Sequence, residues 1–130
     1  MCGRSSANSA QSKQSEEDRN TDQSIRAIEI SDTDFPDLIS ESNKPVLVYF
    51  WAPWCVPCRQ LTPTIDDIAR QYSDRAVVAK LNTQMFQQTP AQLGVRGIPT
   101  IIITQNGKEV ERFVGLQSAA TYREALDKHI

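Results

Sequence analysis

The segment WCVPC, residues 54–58, places two cysteines three positions apart, with a valine and a proline between them. Two thiols at this spacing can form a reversible disulfide, supply half of a metal site, or be two inert buried side chains. Each possibility needs a different environment. The residues around the pair, and the elements that position it, therefore decide which chemistry the sequence predicts.

The metal alternative fails on the number of ligands. A structural zinc site needs four cysteine or histidine ligands. In the patterned part of the chain, residues 25–130, Cys55 and Cys58 are joined only by His129, and no fourth such ligand exists. We therefore expect no metal at this pair, and we expect no other cofactor.

The pair falls where a strand pattern gives way to a helix pattern. PVLVYFWA, residues 45–52, is a continuous apolar run of strand length, typical of a strand that is buried on both faces. From about residue 57 to residue 72, apolar residues recur on one side of a helix. A helix N-terminus offers unpaired N–H groups and lowers the pKa of a thiol placed there. This position favours a redox pair over inert cysteines, with Cys55 at or near the N-cap and Cys58 one turn below it.

Other elements alternate along the chain. Strands are predicted at 25–30, 76–81, 100–104 and 109–114, and helices at about 31–42, 85–93 and 118–129. Ser31 or Asp32 is expected to cap the first helix, Gly94 to end the third, and Asn106-Gly107 to form a hairpin turn. The order βαβαβαββα predicts parallel pairing first and an antiparallel hairpin last. It is an α/β arrangement, with a mixed central sheet flanked by helices on both faces.

Residues 1–24 differ from the rest in composition. They contain no aromatic residue and are dominated by serine, glutamine, asparagine and charged residues. Such a segment buries too little apolar surface to offset its ordering entropy, so we expect a disordered polar tail over 1–24 and one domain over 25–130.

The net charge of −2 gives no electrostatic reason to expect nucleic acid binding. No apolar run approaches the roughly 20 residues that span a bilayer.

The segment WAPWCVPCRQLTP resembles the active-site segment of the thioredoxin family. VAKLN (78–82), GVRGIPTIII (94–103) and NGKEVERFVG (106–115) resemble the third strand, the cis-proline loop and the terminal hairpin of that family, in the same order and with similar spacing. Together these segments cover essentially all of residues 25–130. The resemblance implies a thioredoxin fold and a thiol–disulfide oxidoreductase.

The resemblance implies a role for each matching position. Cys55 would attack a substrate disulfide, and Cys58 would resolve the mixed disulfide. Pro99 matches the family's cis-proline beside the disulfide, with an ordinary trans turn as the alternative. Arg59 would either favour the thiolate or be a solvated surface residue. The substrate-binding surface would consist of Trp54, Val56, Pro57, Gly97, Ile98, Pro99, Val114 and Gly115.

Two positions depart from the family's pattern. The usual spacer between the cysteines is Gly-Pro, whereas this chain has Val56-Pro57, and the stiff apolar valine is expected to alter reduction potential and substrate contact. Five residues before Trp54, typical members carry a buried aspartate thought to accept the proton of the resolving cysteine, often with a lysine nearby. Here that position is Tyr49, while the lysine is retained as Lys80. A phenol is neutral at pH 7, so we expect Tyr49 to be a poor base.

Met1-Cys2-Gly3, followed by a polar linker, resembles the start of a mature bacterial lipoprotein. Cys2 would then carry the lipid, and the domain would work outside the cytoplasm, tethered to a membrane by a linker that reaches about 25 Å. A natural tail with an incidental Cys2 and a tail added for expression are alternatives. Under either of these two alternatives, the protein could be cytoplasmic.

The leading functional hypothesis is a reductase of protein disulfides that uses a reversible Cys55–Cys58 couple through a mixed-disulfide intermediate. Alternatives are an extracytoplasmic oxidase or isomerase tuned by Val56, and a thioredoxin-fold binding module with secondary redox activity. The expected partners are disulfide-containing proteins and an upstream thiol reductant, and no nucleic acid is expected. We expect a monomer.

Overall fold

The computed structural model describes residues 25–130, so the tail predicted at 1–24 lies outside the described residues. The order of elements within this range is βαβαβαββα, which confirms the prediction. The strands are β1 (Ile28–Ile30), β2 (Val46–Trp51), β3 (Val77–Asn82), β4 (Thr100–Gln105) and β5 (Lys108–Val114). The helices are α1 (Asp34–Glu41), α2 (Val56–Gln71), α3 (Gln88–Leu93) and α4 (Ala119–Asp127).

The five strands form one mixed sheet in the order β1-β3-β2-β4-β5. β1 and β2 both pair with β3 in parallel, as the alternation of strands and helices predicts. β4 pairs antiparallel with β2 and with β5. The central strand β2 is buried from Val46 to Phe50, which confirms a strand covered on both faces.

Each face of the sheet carries its own apolar core. On one face, α2 and α4 pack over Leu47 and Tyr49 of β2. On the other face, α1 and α3 pack over Val46, Val48 and Phe50. Because successive residues of a strand point to opposite faces, the unbroken apolar run of β2 fills both cores.

The predicted turns form where the sequence places them. Gly94 ends α3 with a left-handed φ of 70°. Asn106 and Gly107 take φ values of 55° and 79° between β4 and β5, the positive φ angles that a tight hairpin turn requires. Several boundaries differ from the prediction by one to three residues; β1, for example, begins at Ile28, and α3 begins at Gln88.

The N-cap of α1 is Thr33, whose side chain makes no capping hydrogen bond, so neither Ser31 nor Asp32 occupies the predicted cap position. Ser31 Oγ accepts a hydrogen bond from the Asp34 N–H at 3.2 Å, at the start of α1. The Asp32 carboxylate instead accepts from the N–H groups of Thr89, at 2.8 Å, and Gln88, at 3.2 Å. Asp32 therefore caps α3, a helix far along the chain, and ties it to the segment between β1 and α1.

This cap gives stability a predictable dependence on pH. Desolvation by itself would raise the pKa of Asp32, but the hydrogen bonds from Thr89 and Gln88 outweigh it and lower the pKa. A carboxyl group with a lowered pKa in the folded state stabilises the fold above its unfolded pKa. That stabilisation is lost as the pH falls through the folded value.

We therefore expect Asp32→Ala to lower the thermal midpoint at pH 7 by about 4–8 °C, for a cap worth about 1 kcal/mol. The difference from the wild type should start to shrink below about pH 4, the ordinary pKa of aspartate, and should vanish as the pH falls through the lowered folded value. Thermal unfolding followed by circular dichroism at several pH values measures both effects. Glu124→Ala, at an exposed position of α4, is the matched control. An equal loss in that control, or a difference that does not vary with pH, would contradict the role of Asp32.

Candidate active site at the start of α2

The residues singled out in the sequence converge at one end of the sheet. β2 ends at Trp51 and leads through a short loop to Cys55 and α2. Because β4 is antiparallel to β2, its first residue Thr100 pairs with Phe50 near the end of β2. Val114, the last residue of β5, pairs with the same threonine. The segments around Pro99 and Val114 therefore lie at the end of the sheet that carries the cysteines.

Cys55 and Cys58 form a disulfide, with their Cα atoms 5.2 Å apart. Cys55 is the N-cap of α2, and its Sγ accepts a hydrogen bond from the N–H of Cys58 at 3.3 Å. Pro57 lies in the first turn, where a missing N–H costs nothing. Both cysteines are nearly buried, with 4% of Cys55 and 1% of Cys58 exposed. A thiolate on Cys55 would keep this N–H as a donor and would lie at the positive end of the helix dipole.

Exposed apolar side chains surround this helix start. Trp54, Val56 and Val114 are each about 60% exposed, an unusual exposure for large apolar groups. Val56, the residue that departs from the usual spacer, is the first residue of α2 and directs its side chain to solvent. These side chains can cover an apolar partner without rearranging the core.

The loop before β4 lies beside the end of β5. The Ile98–Pro99 peptide bond is cis, as the resemblance implies. The Gly115 N–H donates to the Pro99 carbonyl at 2.8 Å, and Gly115 has a left-handed φ of 89°. A β-carbon at Gly97 would lie 4.0 Å from a methyl group of Val114. Gly97 is exposed and Ile98 is half-buried, and the Gly97 carbonyl accepts a hydrogen bond from the Thr100 hydroxyl at 2.6 Å.

Arg59 acts on the loop before the cysteines. Its Nε and Nη2 donate to the carbonyl of Pro53 at 3.3 and 3.1 Å. These two hydrogen bonds connect the first turn of α2 to the loop that precedes Cys55. The sequence offered two alternatives, a group favouring the thiolate and a solvated side chain, and this contact with the backbone was in neither.

Tyr49 lies beneath the cysteines and is completely buried. Its hydroxyl donates to the main-chain carbonyl of Cys58 at 2.8 Å and lies 3.1 Å from Thr62 Oγ1. Burial raises its pKa above the ordinary value of tyrosine, although the hydrogen bond with Thr62 acts in the opposite direction. Tyr49 is therefore a neutral hydrogen-bonding group at physiological pH, consistent with the expectation that it is a poor base.

Thr62 was missed in the sequence. Its hydroxyl donates to the Cys58 carbonyl at 2.9 Å, one helical turn back along α2. A threonine in a helix commonly bonds the carbonyl four residues earlier, so the spacing from Cys58 was a usable signal.

Lys80 occupies the same face of the sheet as Tyr49, since the two residues pair in register across β3 and β2. Its ammonium group lies 5.4 Å from the centroid of the Trp51 ring, a cation–π arrangement. Among the hydrogen bonds of residues 25–130, none joins Lys80 to Tyr49 or Cys58. The lysine thus contacts an aromatic ring where the resemblance would place it near a carboxylate.

Within residues 25–130, no group of three or more histidine, cysteine or acidic side chains is arranged to hold a metal ion. No helix in this part of the chain is both long and apolar enough to cross a bilayer.

Comparison with known proteins identifies this arrangement. The family model described as Thioredoxin matches residues 26–128. The chain belongs to the thioredoxin family. It is 44% identical to thioredoxin 1 of Synechococcus elongatus over 104 residues, which cover 80% of this chain and 97% of the relative. A chloroplastic M-type thioredoxin of Chlamydomonas reinhardtii is 40% identical over 101 residues, which cover 78% of this chain and 72% of that protein.

A solved structure agrees with these relatives. A mutant thioredoxin from Halobacterium salinarum superposes with a TM-score of 0.74 at 31% identity, covering 81% of this chain and 91% of its own. The protein thus has the thioredoxin fold and is a thiol–disulfide oxidoreductase with a redox-active cysteine pair. Members of this family act on disulfide-containing substrates together with a thiol reductant.

Proposed function

We propose that this protein reduces protein disulfides, with Cys55 as the attacking thiol and Cys58 as the resolving thiol. The observation that carries the assignment is the N-cap geometry: the Cys55 sulfur accepts the N–H of Cys58 at the start of α2. The anion stabilised by this N–H and by the helix dipole is the Cys55 thiolate. Cys58 belongs to the first turn of the helix and lies deeper, next to Tyr49.

The reaction proceeds by two thiol–disulfide exchanges. The Cys55 thiolate attacks one sulfur of the substrate, the substrate's S–S bond breaks, and the second substrate sulfur leaves as a thiolate that takes up a proton. Cys58 then loses its proton and attacks the Cys55 sulfur, which releases the first substrate sulfur. The substrate has gained two electrons, and the Cys55–Cys58 disulfide has formed. An upstream thiol reductant returns the pair to its reduced form.

We propose that the exposed apolar side chains Trp54, Val56 and Val114, with Pro57, contact the substrate around the attacked sulfur. The backbone of Gly97 and Ile98 is suited to pair with an extended segment of the substrate, as in strand addition. Pro99 and Gly115 would hold this edge through the Gly115–Pro99 hydrogen bond. The exposure of the three apolar groups supports this surface, because burying one valine side chain contributes about 1.5–3 kcal/mol.

Exchanging each cysteine for serine tests the assignment. On a Cys2→Ser background, the Cys58→Ser variant should accumulate a mixed disulfide with oxidised insulin, because nothing resolves it. The Cys55→Ser variant should accumulate none and should lose insulin reduction entirely. Non-reducing gel electrophoresis and the turbidity of precipitated insulin chains measure the two outcomes. A mixed disulfide formed by the Cys55→Ser variant would reverse the roles.

Replacing Val114 tests the substrate surface. We expect Val114→Ser to raise the KM for insulin about threefold to tenfold, since it removes apolar contact area. The rate with oxidised glutathione should stay within about twofold, because so small a disulfide needs little of the surface. Val110→Ser, on the same strand and 39% exposed, is the matched control. Equal effects of both variants, or equal effects on both substrates, would exclude Val114 as a substrate contact.

Lipidation of Cys2 and an extracytoplasmic tether remain predictions from the sequence, because Cys2 lies outside the described residues. The same holds for the monomeric state. We expect the full precursor, expressed in a bacterial host, to sediment with membranes and to release a Cys2-containing peptide that carries acyl chains. Membrane fractionation and mass spectrometry measure this, with Cys2→Ser as control. A soluble, unmodified protein would contradict the tether and favour the cytoplasmic alternative.

A further inference from the structure

Two hydroxyl groups from different elements converge on one carbonyl oxygen. Tyr49, from β2, reaches the Cys58 carbonyl at 2.8 Å, and Thr62, from α2, reaches it at 2.9 Å. The two hydroxyls are also 3.1 Å from each other. The Tyr49 ring is fully buried, so its hydroxyl is held in this place by the core around it. The carbonyl belongs to the residue that carries the resolving thiol.

Donors on this carbonyl hold Cys58 in place. Tyr49 belongs to the sheet and Cys58 to the helix, so the Tyr49 bond fixes the first turn of α2 relative to β2. The Thr62 bond holds the same carbonyl from within α2. Both bonds therefore act on the orientation of Cys58.

The charged and titratable groups around this cluster are engaged elsewhere. Lys80 of β3 lies over the Trp51 ring, the Asp66 carboxylate of α2 accepts the N–H of Ala27, and the Tyr122 hydroxyl of α4 accepts the N–H of Gln117. Among the hydrogen bonds of residues 25–130, none joins a carboxylate to Tyr49 or Cys58. Burial raises the pKa of Tyr49, so its hydroxyl keeps its proton across the physiological range.

We propose that Tyr49 and Thr62 are positioning residues for the resolving step. Their two uncharged hydroxyls hold the Cys58 carbonyl at the place where typical family members carry a buried carboxylate. This inference rests on the proposed function. In the step itself, the sulfur of Cys58 bonds to that of Cys55, the Cys55–substrate disulfide breaks, and the substrate sulfur leaves with the electron pair. The proton of Cys58 passes to that leaving thiolate or to water, so no protein carboxylate takes part.

A single-turnover experiment separates the two exchanges. Reduced protein, on a Cys2→Ser background, is mixed with an aromatic disulfide whose thiolate absorbs light. Attack by Cys55 releases the first aromatic thiolate, and resolution by Cys58 releases the second. In Tyr49→Phe and in Thr62→Val, we expect the first release to stay within about twofold of the wild type and the second to slow about threefold to tenfold, the effect of losing one hydrogen bond.

Three further measurements separate positioning from general destabilisation. Thr62→Ser keeps the hydroxyl and should restore the second release. The double variant should be little slower than either single variant, because both hydroxyls act on one carbonyl. The ratio of the second-release rates of wild type and Tyr49→Phe should be constant from about pH 6 to 9, since the phenol does not titrate there.

Tyr122→Phe is the matched control, since Tyr122 is equally buried in the same core and its hydroxyl makes no described bond to Cys58. An unchanged second release in Tyr49→Phe, or equal slowing in Tyr122→Phe, would overturn the inference and leave the proposed function intact. Failure of the wild-type protein to release even the first thiolate would instead overturn the proposed function.

Discussion

The chemistry proposed for this domain depends on the hydrogen bond from the N–H of Cys58 to the sulfur of Cys55, where α2 begins. This bond exists because β2, buried on both faces, ends at Trp51 and the chain turns within a few residues into a helix. A helix start has free N–H groups, and here one of them faces a cysteine sulfur. The residues on either side of this cysteine, Trp54 and Val56, are exposed, so the proposed thiolate and the proposed substrate surface occupy one place. A shift of one residue in the helix start would separate the anion from its donor.

Beneath the cysteines, the buried Cys58 carbonyl is hydrogen-bonded by uncharged side chains. A carboxylate in this core would be costly to ionise, and its titration would make stability depend on pH. Tyr49 fills the same region with an aromatic ring and places one hydroxyl against the Cys58 carbonyl. Thr62 completes the arrangement from the helix side. With the carboxylate absent from this position, Lys80 lies over the Trp51 ring. In the proposed mechanism, the proton of Cys58 passes to water or to the departing substrate sulfur, which is sufficient for an exchange between sulfurs of similar pKa.

Contacts between distant parts of the chain hold the surroundings of the site. Asp32 caps α3 across the far face of the sheet, and α3 leads into the loop that ends at the cis Ile98–Pro99 bond. Arg59 fastens the first turn of α2 to Pro53. The hydrogen bond between Gly115 and Pro99 joins the end of β5 to the start of β4. Each contact ends on a main-chain group: the Asp32 and Arg59 side chains bond the backbone, and Gly115 and Pro99 bond through backbone groups alone.

The sequence by itself determined the order of elements, the buried central strand, the hairpin turn at Asn106-Gly107 and the position of the cysteine pair at a helix start. These follow from local periodicity and from residues with strong backbone preferences, which act within a few positions along the chain. The tertiary structure decided what each polar side chain contacts. Nothing local to Asp32 indicates that it caps α3, and nothing local to Tyr49 indicates that its hydroxyl meets Thr62 at the Cys58 carbonyl. Such partners depend on the register between strands and on how the helices pack across the sheet. Residues far apart in sequence meet only once those are fixed.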